Sequence, residues 1–193
     1  APVPFSSSVY LFTEAIIKYG SEEMKKDLLP RLVSGDVIGT LAVTEDLFAP
    51  SKDNIKLSCE SGKIDGKKIA VPDASIATHA LVVAKSEKGI CLQVADLSHE
   101  GVSIEHQENI DESRGHFSIT FDGVDTQAIG DEISGWDIYE SIINQAAVLF
   151  AYEQIGGSQA SLDMAVNYAK ERYAFGRPIG SYQAIKHKLA DMY

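Results

Sequence analysis

Along residues 8–19, "SVYLFTEAIIKY", the apolar residues Leu11, Ala15, Ile16 and Tyr19 share one face at helical spacing, which predicts a helix. Gly20 is the expected C-cap of that helix. Ser21 then opens a second one, with Glu22 and Glu23 in the first turn, where the helix dipole favours negative charge. Pro30 and the pair Ser34–Gly35 are expected to close this helical region.

From about residue 37 the period shortens to two. "VIGTLAVT" is rich in β-formers. In "GHFSITF", Phe117, Ile119 and Phe121 alternate with His116, Ser118 and Thr120. Between these runs lie "NIKLSCE", "KKIAV", "HALVVAK" and "ICLQVADL", separated by the turn-prone "SGKIDG" and "SEKG". Short strands at this spacing, with no long helix between Asn54 and Gly123, predict an antiparallel β-sandwich or barrel. With helical segments on both sides, the fold class is α+β.

After Gly130 the helical period returns. Leu162, Ala165, Val166 and Ala169 recur at i, i+3, i+4 and i+7. Gly156 and Gly157 lie inside this run, and a mid-helix glycine costs about 1 kcal/mol relative to alanine. A close helix–helix crossing and a break between two helices would each account for them. The chain therefore divides into residues 1–36, 37–131 and 132–193: helical, β, helical.

Composition narrows the function classes. The 193 residues are enough for one large domain or two small ones, and a hydrophobic content of 45% is that of a globular protein. A net charge of -11 disfavours nucleic acid or an anionic membrane as partner. No apolar run reaches the length of a membrane span. The opening "APVPFSSS" lacks the basic-then-apolar order of a secretory signal, and it lacks an initiator Met, as a processed or cut chain would. Cys59 and Cys91 lie far apart without metal-ligand spacing, which points to a reducing, cytoplasmic compartment.

Common chemical motifs are absent. No glycine-rich dinucleotide loop follows a strand, and there is neither a P-loop nor a G-x-S-x-G elbow. His99, Glu100, Glu105, His106 and Glu108 lack strict ligand spacing and are read as a solvated loop and strand edge, not a metal site. Cys59 and Cys91 are read as buried small apolar residues, and His187 as a helix-surface residue. Two stretches stand apart: "GTLAVTE", residues 39–45, and "RYAFGRPIGSYQAIKHKLADM". The second gathers Arg172, Arg177, Lys186 and Lys188 around a turn in an acidic chain. Guanidinium groups beside a glycine turn suit a diphosphate. A positive helix end that complements its own dipole accounts for the same charges.

"YGSEEMKKDLLPRLVSGDVIGTLAVTE", followed after the β region and long helix by "YAKERYAFGRPIGSYQAIKHKLADM", resembles the acyl-CoA dehydrogenase family of flavoproteins in order and spacing. "FDGVDTQAIGDEISGW" is similar to the family's exit from its β domain, so the resemblance covers essentially the whole chain. It implies that residues 1–36 end an N-terminal helical domain, 37–131 form the middle β domain, and 132–193 begin a truncated C-terminal helical bundle. It also implies FAD as cofactor and α,β-dehydrogenation of an acyl-CoA thioester to the 2-enoyl-CoA. In that reaction a glutamate removes the α proton, a β hydride passes to the flavin, and electrons leave to an electron-transfer flavoprotein.

By the same resemblance, Leu41, Val43 and Thr44 lie along the flavin ring, with Thr44 hydrogen-bonding it. Arg172 and Phe175 match positions that contact FAD of a neighbouring subunit, and Gln183 also faces FAD. A homo- or hetero-oligomer, dimer or tetramer, follows. Ser51 matches a substrate-contacting serine.

Three departures qualify the match. "DLFAPSKD" is longer than the family's small-residue turn, with Pro50 in place of its glycine. "AVPD" stands where members carry Trp-Ile-Thr-Asn, so Ala70 offers no aromatic face and Pro72 neither hydroxyl nor N–H. Ala146 and Ala147 fall where members carry an Arg and, in some, the catalytic glutamate; Glu140 and Glu153 are out of register, so no base is assigned. These departures support a second reading: a non-catalytic subunit of a heteromeric acyl-CoA dehydrogenase that donates part of an interfacial FAD site.

Overall fold

The computed structural model describes residues 3–111, 113–131 and 133–193. It forms two compact units, one reaching to Ala146 and one from Ala147 to Tyr193.

The first unit begins with a π-helical segment, Ser6–Thr13, which tightens into α1 (Glu14–Tyr19). Gly20 is the C-cap of α1, as expected, in an extended conformation at φ -66° and ψ 149°. Its N–H donates to the Ile16 carbonyl at 3.0 Å. A Cβ at residue 20 would lie 2.6 Å from that oxygen, so glycine is required by close approach. Ser21 caps α2 (Glu22–Ser34), its hydroxyl accepting from the Met24 N–H at 3.1 Å. Pro30 lies inside α2 and does not close it. The bond it removes is to the Lys26 carbonyl, and both residues face solvent, where water satisfies that oxygen. Gly35, left-handed at φ 84°, makes the stop.

Seven strands follow: β1 (Gly39–Ala42), β2 (Ser58–Glu60), β3 (Lys63–Pro72), β4 (His79–Lys85), β5 (Ile90–Asp96), β6 (Val102–Gln107) and β7 (His116–Ile129). Strands β4, β2, β3, β7 and β5 pair in a closed ring, with β1 added on β4 and β6 on β7. Between Asn54 and Gly123 the described residues contain no helix. The sheet is mixed where a purely antiparallel one was expected: β1 and β2 both run parallel to β4. The reason is connectivity. β1 reaches β4 only after the β2–β3 hairpin, and a long crossover joins parallel strands where a tight turn cannot.

Strand lengths also differ from the sequence pattern. Of "NIKLSCE" only Ser58–Glu60 is strand, whereas Lys63–Gly66 of the expected turn lies within β3. The turn itself is Ser61–Gly62, with φ of 52° and 80°, the signature of a two-residue type I′ hairpin. β7 continues well past "GHFSITF", bending at Gly123 (φ 59°) so that its far half pairs with β5 and completes the ring. Ile64, Val82, Phe117, Ile119, Phe121 and Val124 pack in its core.

Asp73 fastens the π-helical segment to this ring. Its Oδ2 accepts from the Ser7 hydroxyl at 2.6 Å and from Arg114 Nη2 at 2.6 Å. Burial pushes its carboxyl up, but the Arg114 and Ser7 hydrogen bonds outweigh burial and hold it below the ordinary value. The folded state therefore releases this proton first. The clamp's stabilisation is complete above the ordinary aspartate pKa and is lost as pH falls through the lowered folded value. Asp73→Asn is expected to cost about 1.5–3 kcal/mol at neutral pH. It should also flatten the acid limb of a pH–stability profile, which urea melts at several pH values would read. An unchanged acid limb would remove Asp73 from that role.

Helix α3 (Gly135–Glu171) enters against β5: a Cβ on Gly135 would sit 2.6 Å from the Cys91 Cα. Its first turns bury Trp136, Ile138, Ile142 and Ala146. α3 is continuous through Gly156 and Gly157, so the break between two helices does not occur. Among the described residues nothing lies within 4 Å of a Cβ built at either glycine.

The second unit comprises the rest of α3, a hairpin of β8 (Tyr173–Ala174) and β9 (Arg177–Pro178), a 3-10 turn, and α4 (Gln183–Met192). Leu162, Val166 and Ala169 line a groove with Gly180 and Leu189. No described helix is long and apolar enough to cross a membrane.

Candidate functional site

β1 is buried along its whole length. A Cβ on Gly39 would overlap the Phe12 ring, so glycine lets the π-helical segment lie directly on the strand. Thr40 donates to the Pro72 carbonyl at 2.6 Å. Leu41 and Val43 are 9% and 7% exposed.

Past Ala42 the β1–β4 ladder ends, and β3 takes over. Lys68, with a fully buried side chain, donates from Nζ to the Val43 carbonyl at 2.9 Å and to Glu45 Oε1 at 2.6 Å. Between those two contacts, the Ile69 N–H donates to the Thr44 carbonyl at 2.8 Å. The Glu45 carboxylate also accepts from the N–H groups of Lys56 (2.8 Å) and Leu57 (3.0 Å). Burial pushes the Lys68 ammonium down to about 8, opposed by the hydrogen bond and charge of Glu45. Residues 43–45 are thus tied to β3 and to the segment that leads into β2. Among the described residues, the Thr44 hydroxyl and N–H have no protein partner.

Nothing in the charge pattern singled out Lys68. The available signal was phase: Lys68 falls on the same strand face as the buried Ile64, where an unpaired lysine is too costly to tolerate.

The departure segment is committed elsewhere. Ile69 and Ala70 bulge out between the Lys68–Ile119 and Val71–Phe117 pairs. Ala70 is left-handed at φ 52°, exposed, and donates its N–H to Gln107 Oε1 at 2.7 Å. The Pro72 carbonyl is taken by Thr40 and the Asp73 carboxylate by Ser7 and Arg114. Ser51 sits in the loop between β1 and β2, its N–H donating to Asn54 Oδ1 at 2.7 Å. Leu47 and Phe48 of that loop project into solvent.

In the second unit, Arg172 follows the end of α3. Its N–H donates to the Tyr168 carbonyl and its own carbonyl accepts from Ile179, both at 2.8 Å. Its side chain is exposed and makes no ion pair among the described residues. Phe175 and Gly176 form the two-residue turn between β8 and β9, with φ of 52° and 79°. Phe175 is 97% exposed in a backbone conformation that a bulky aromatic rarely adopts. Arg177 is occupied: its guanidinium lies 4.0 Å over the Tyr182 ring, whose hydroxyl donates to the Ala174 carbonyl at 2.8 Å. Gln183 opens α4 and is exposed, as are Lys186, His187 and Lys188.

The site residues expected from sequence therefore form two groups, Leu41–Val43–Thr44 at the end of β1 and Arg172–Phe175–Gln183 around the hairpin. On α3, Glu140 and Glu153 are exposed, Ala146 is buried and Ala147 exposed. His99 accepts from the Gly101 N–H at 3.0 Å, and His106 packs edge-on against Phe117. Cys59 and Cys91 are buried and not disulfide-bonded.

Comparison with known proteins places these features in context. Residues 134–193 match the model of the acyl-CoA dehydrogenase C-terminal domain. The mitochondrial isovaleryl-CoA dehydrogenase of Oryza sativa subsp. japonica is 30% identical over 194 residues, covering 92% of this chain and 47% of that protein. A glutaryl-CoA dehydrogenase from Mycobacterium smegmatis, solved in complex with FADH2, superposes with a TM-score of 0.88 at 25% identity, over 96% of this chain and 50% of that one. A variant of the Tcur3481–Tcur3483 steroid ACAD superposes with a TM-score of 0.81 at 30% identity, over 99% of this chain and 52% of that one. The chain spans about half the length of the curated relatives it matches.

Proposed function

Since the chain belongs to the acyl-CoA dehydrogenase family, we propose that it is part of an FAD-dependent enzyme that converts an acyl-CoA thioester to the 2-enoyl-CoA. The observation that carries this reading is Phe175, held exposed at φ 52° beside an Arg172 that has no ion pair among the described residues. Backbone strain of this kind costs on the order of 1–3 kcal/mol; the β8–β9 hairpin holds it here, and residues so held cluster at ligand sites.

The residues present fit the cofactor. Leu41 and Val43 offer apolar surface, and Thr44 has both a hydroxyl and an N–H to spare, as the polar edge of a flavin requires. Arg172 supplies a planar, permanently charged partner for a diphosphate. Phe175 and Gln183 flank it on the hairpin and on α4. Bound FAD supplies the hydride acceptor. Ser51 is the substrate-side residue of this chain. Glu140 and Glu153 are out of register, and we assign neither as base. In this reading the FAD lies across a subunit interface of a homo- or hetero-oligomer, and electrons leave to an electron-transfer flavoprotein.

A second reading is favoured by Ala70, Pro72 and Asp73. Ala70 turns a methyl group to solvent, and the other two spend their polar groups on Thr40, Ser7 and Arg114. A non-catalytic subunit that lends the Arg172 side of the site to a partner would need none of them. The paired designation of the steroid ACAD neighbour fits such an arrangement.

The test is purification of the complete protein, followed by anaerobic addition of short-, medium- and long-chain and ring-bearing acyl-CoA thioesters. Bleaching of the flavin band by one of them is the expected result. FAD retained without bleaching by any thioester would favour the non-catalytic subunit. No FAD uptake, alone or with a co-expressed partner, would defeat both readings.

A further inference from the structure

We propose that Lys68 is a positioning residue for the flavin, acting through the Val43–Thr44 peptide; this rests on the reading of Thr44 as a flavin contact. Three observations support it. First, Lys68 is buried and reaches the strand end at two points on either side of Thr44, the Val43 carbonyl and the Glu45 carboxylate. Second, the β1–β4 ladder stops at Ala42, so these contacts and the Ile69–Thr44 bond hold the segment where strand pairing no longer does. Third, the Val43 carbonyl and the Thr44 N–H belong to one peptide group. An ammonium donating to that carbonyl draws electron density from the amide and makes its N–H a stronger donor.

That N–H has no protein acceptor among the described residues. The Thr44 N–H, which points opposite to the Val43 carbonyl across a trans peptide, is thus aimed from behind and polarised by a cation 2.9 Å from the Val43 oxygen. A ligand that gains negative charge on reduction would be held more tightly in its reduced form. Lys68 therefore has two separable effects: it fixes the geometry of residues 43–45, and it raises the potential of the bound flavin.

The experiment compares Lys68→Met, the double variant Lys68→Met/Glu45→Leu and Thr44→Ala with wild type, all in the complete protein. FAD affinity is read by fluorescence, the two-electron potential by dye equilibration, and stability by thermal melting. Replacing both members of a buried ion pair by apolar residues of similar volume commonly restores stability, so the double variant separates fold from function. Lys68→Met is expected to weaken FAD binding about tenfold or more, as loss of a charge-assisted contact does. It should also weaken reduced relative to oxidised FAD by about tenfold, a fall of about 30 mV. The double variant should melt near wild type yet keep the weak binding and lowered potential. A double variant that recovers both melting and flavin properties would overturn the proposal, leaving Lys68 a structural residue. So would a Lys68→Met protein with wild-type affinity and potential. Thr44→Ala keeps the N–H, so it should lose the hydroxyl's share of the affinity while its potential still falls when Lys68→Met is added. A Thr44→Ala background in which Lys68→Met changes nothing, or no FAD uptake by wild type, would instead defeat the reading beneath it, and the proposal with it.

Discussion

Phe12→Ala is expected to destabilise the first unit by about 3–5 kcal/mol, the cost of emptying a well-packed aromatic site. Phe12 is fully buried, lies on the π-helical segment and meets His79 edge-on at 6.4 Å. Its ring occupies the space that a Cβ on Gly39 would take. The reverse change, Gly39→Ala, should cost about 1–3 kcal/mol by overpacking. The two effects should not add. With Phe12 truncated, a methyl group at residue 39 has room, and the double variant should be less destabilised than the sum of the single ones. Urea unfolding of the four proteins measures this coupling, and strict additivity would show that the ring and strand do not share that space. The contact matters beyond stability because Gly39 begins β1, which ends two residues before Thr44.

Arg172→Ala is expected to weaken FAD binding by the complete protein about ten- to hundredfold, the equivalent of one charge-assisted contact. Stability should change little, since the side chain is exposed and makes no ion pair among the described residues. Arg172→Lys should recover part of the affinity, because an ammonium cannot make the two-pronged contact of a guanidinium. The alternative is a charge that merely complements the C-terminus of α3. Its removal would cost well under about 1 kcal/mol of stability and leave FAD affinity alone. Fluorescence titration with FAD, with any partner subunit present, separates the two. Equal affinity at matched melting temperature would exclude Arg172 from the site.

Much of this protein is written locally. The helices around Ile16 and Leu28, the Ser21 cap, and the alternation of Phe117, Ile119 and Phe121 follow from side-chain period and from capping chemistry. These depend on neighbours a few residues apart, so the order of residues is enough to reveal them. The stretches 39–45 and 172–192 were likewise visible, the second by its cluster of positive charge in an acidic chain.

Other features depended on residues distant in the chain. Pairing of β1 with β4 in parallel is settled by which edges remain after the β2–β3 hairpin has formed, and no local pattern carries that information. That Gly20 caps α1 is legible, but its close approach to the Ile16 carbonyl is not, and Gly156–Gly157, which a break or a close crossing would equally explain, lies within a continuous helix. Lys68 looks like a surface lysine until the barrel closes around it. Its ammonium is tolerated only because the Val43 carbonyl and Glu45, more than twenty residues earlier, are brought within 2.9 and 2.6 Å. Burial of a charge is a property of the assembled barrel, since desolvation depends on everything packed around the group and not on its sequence neighbours.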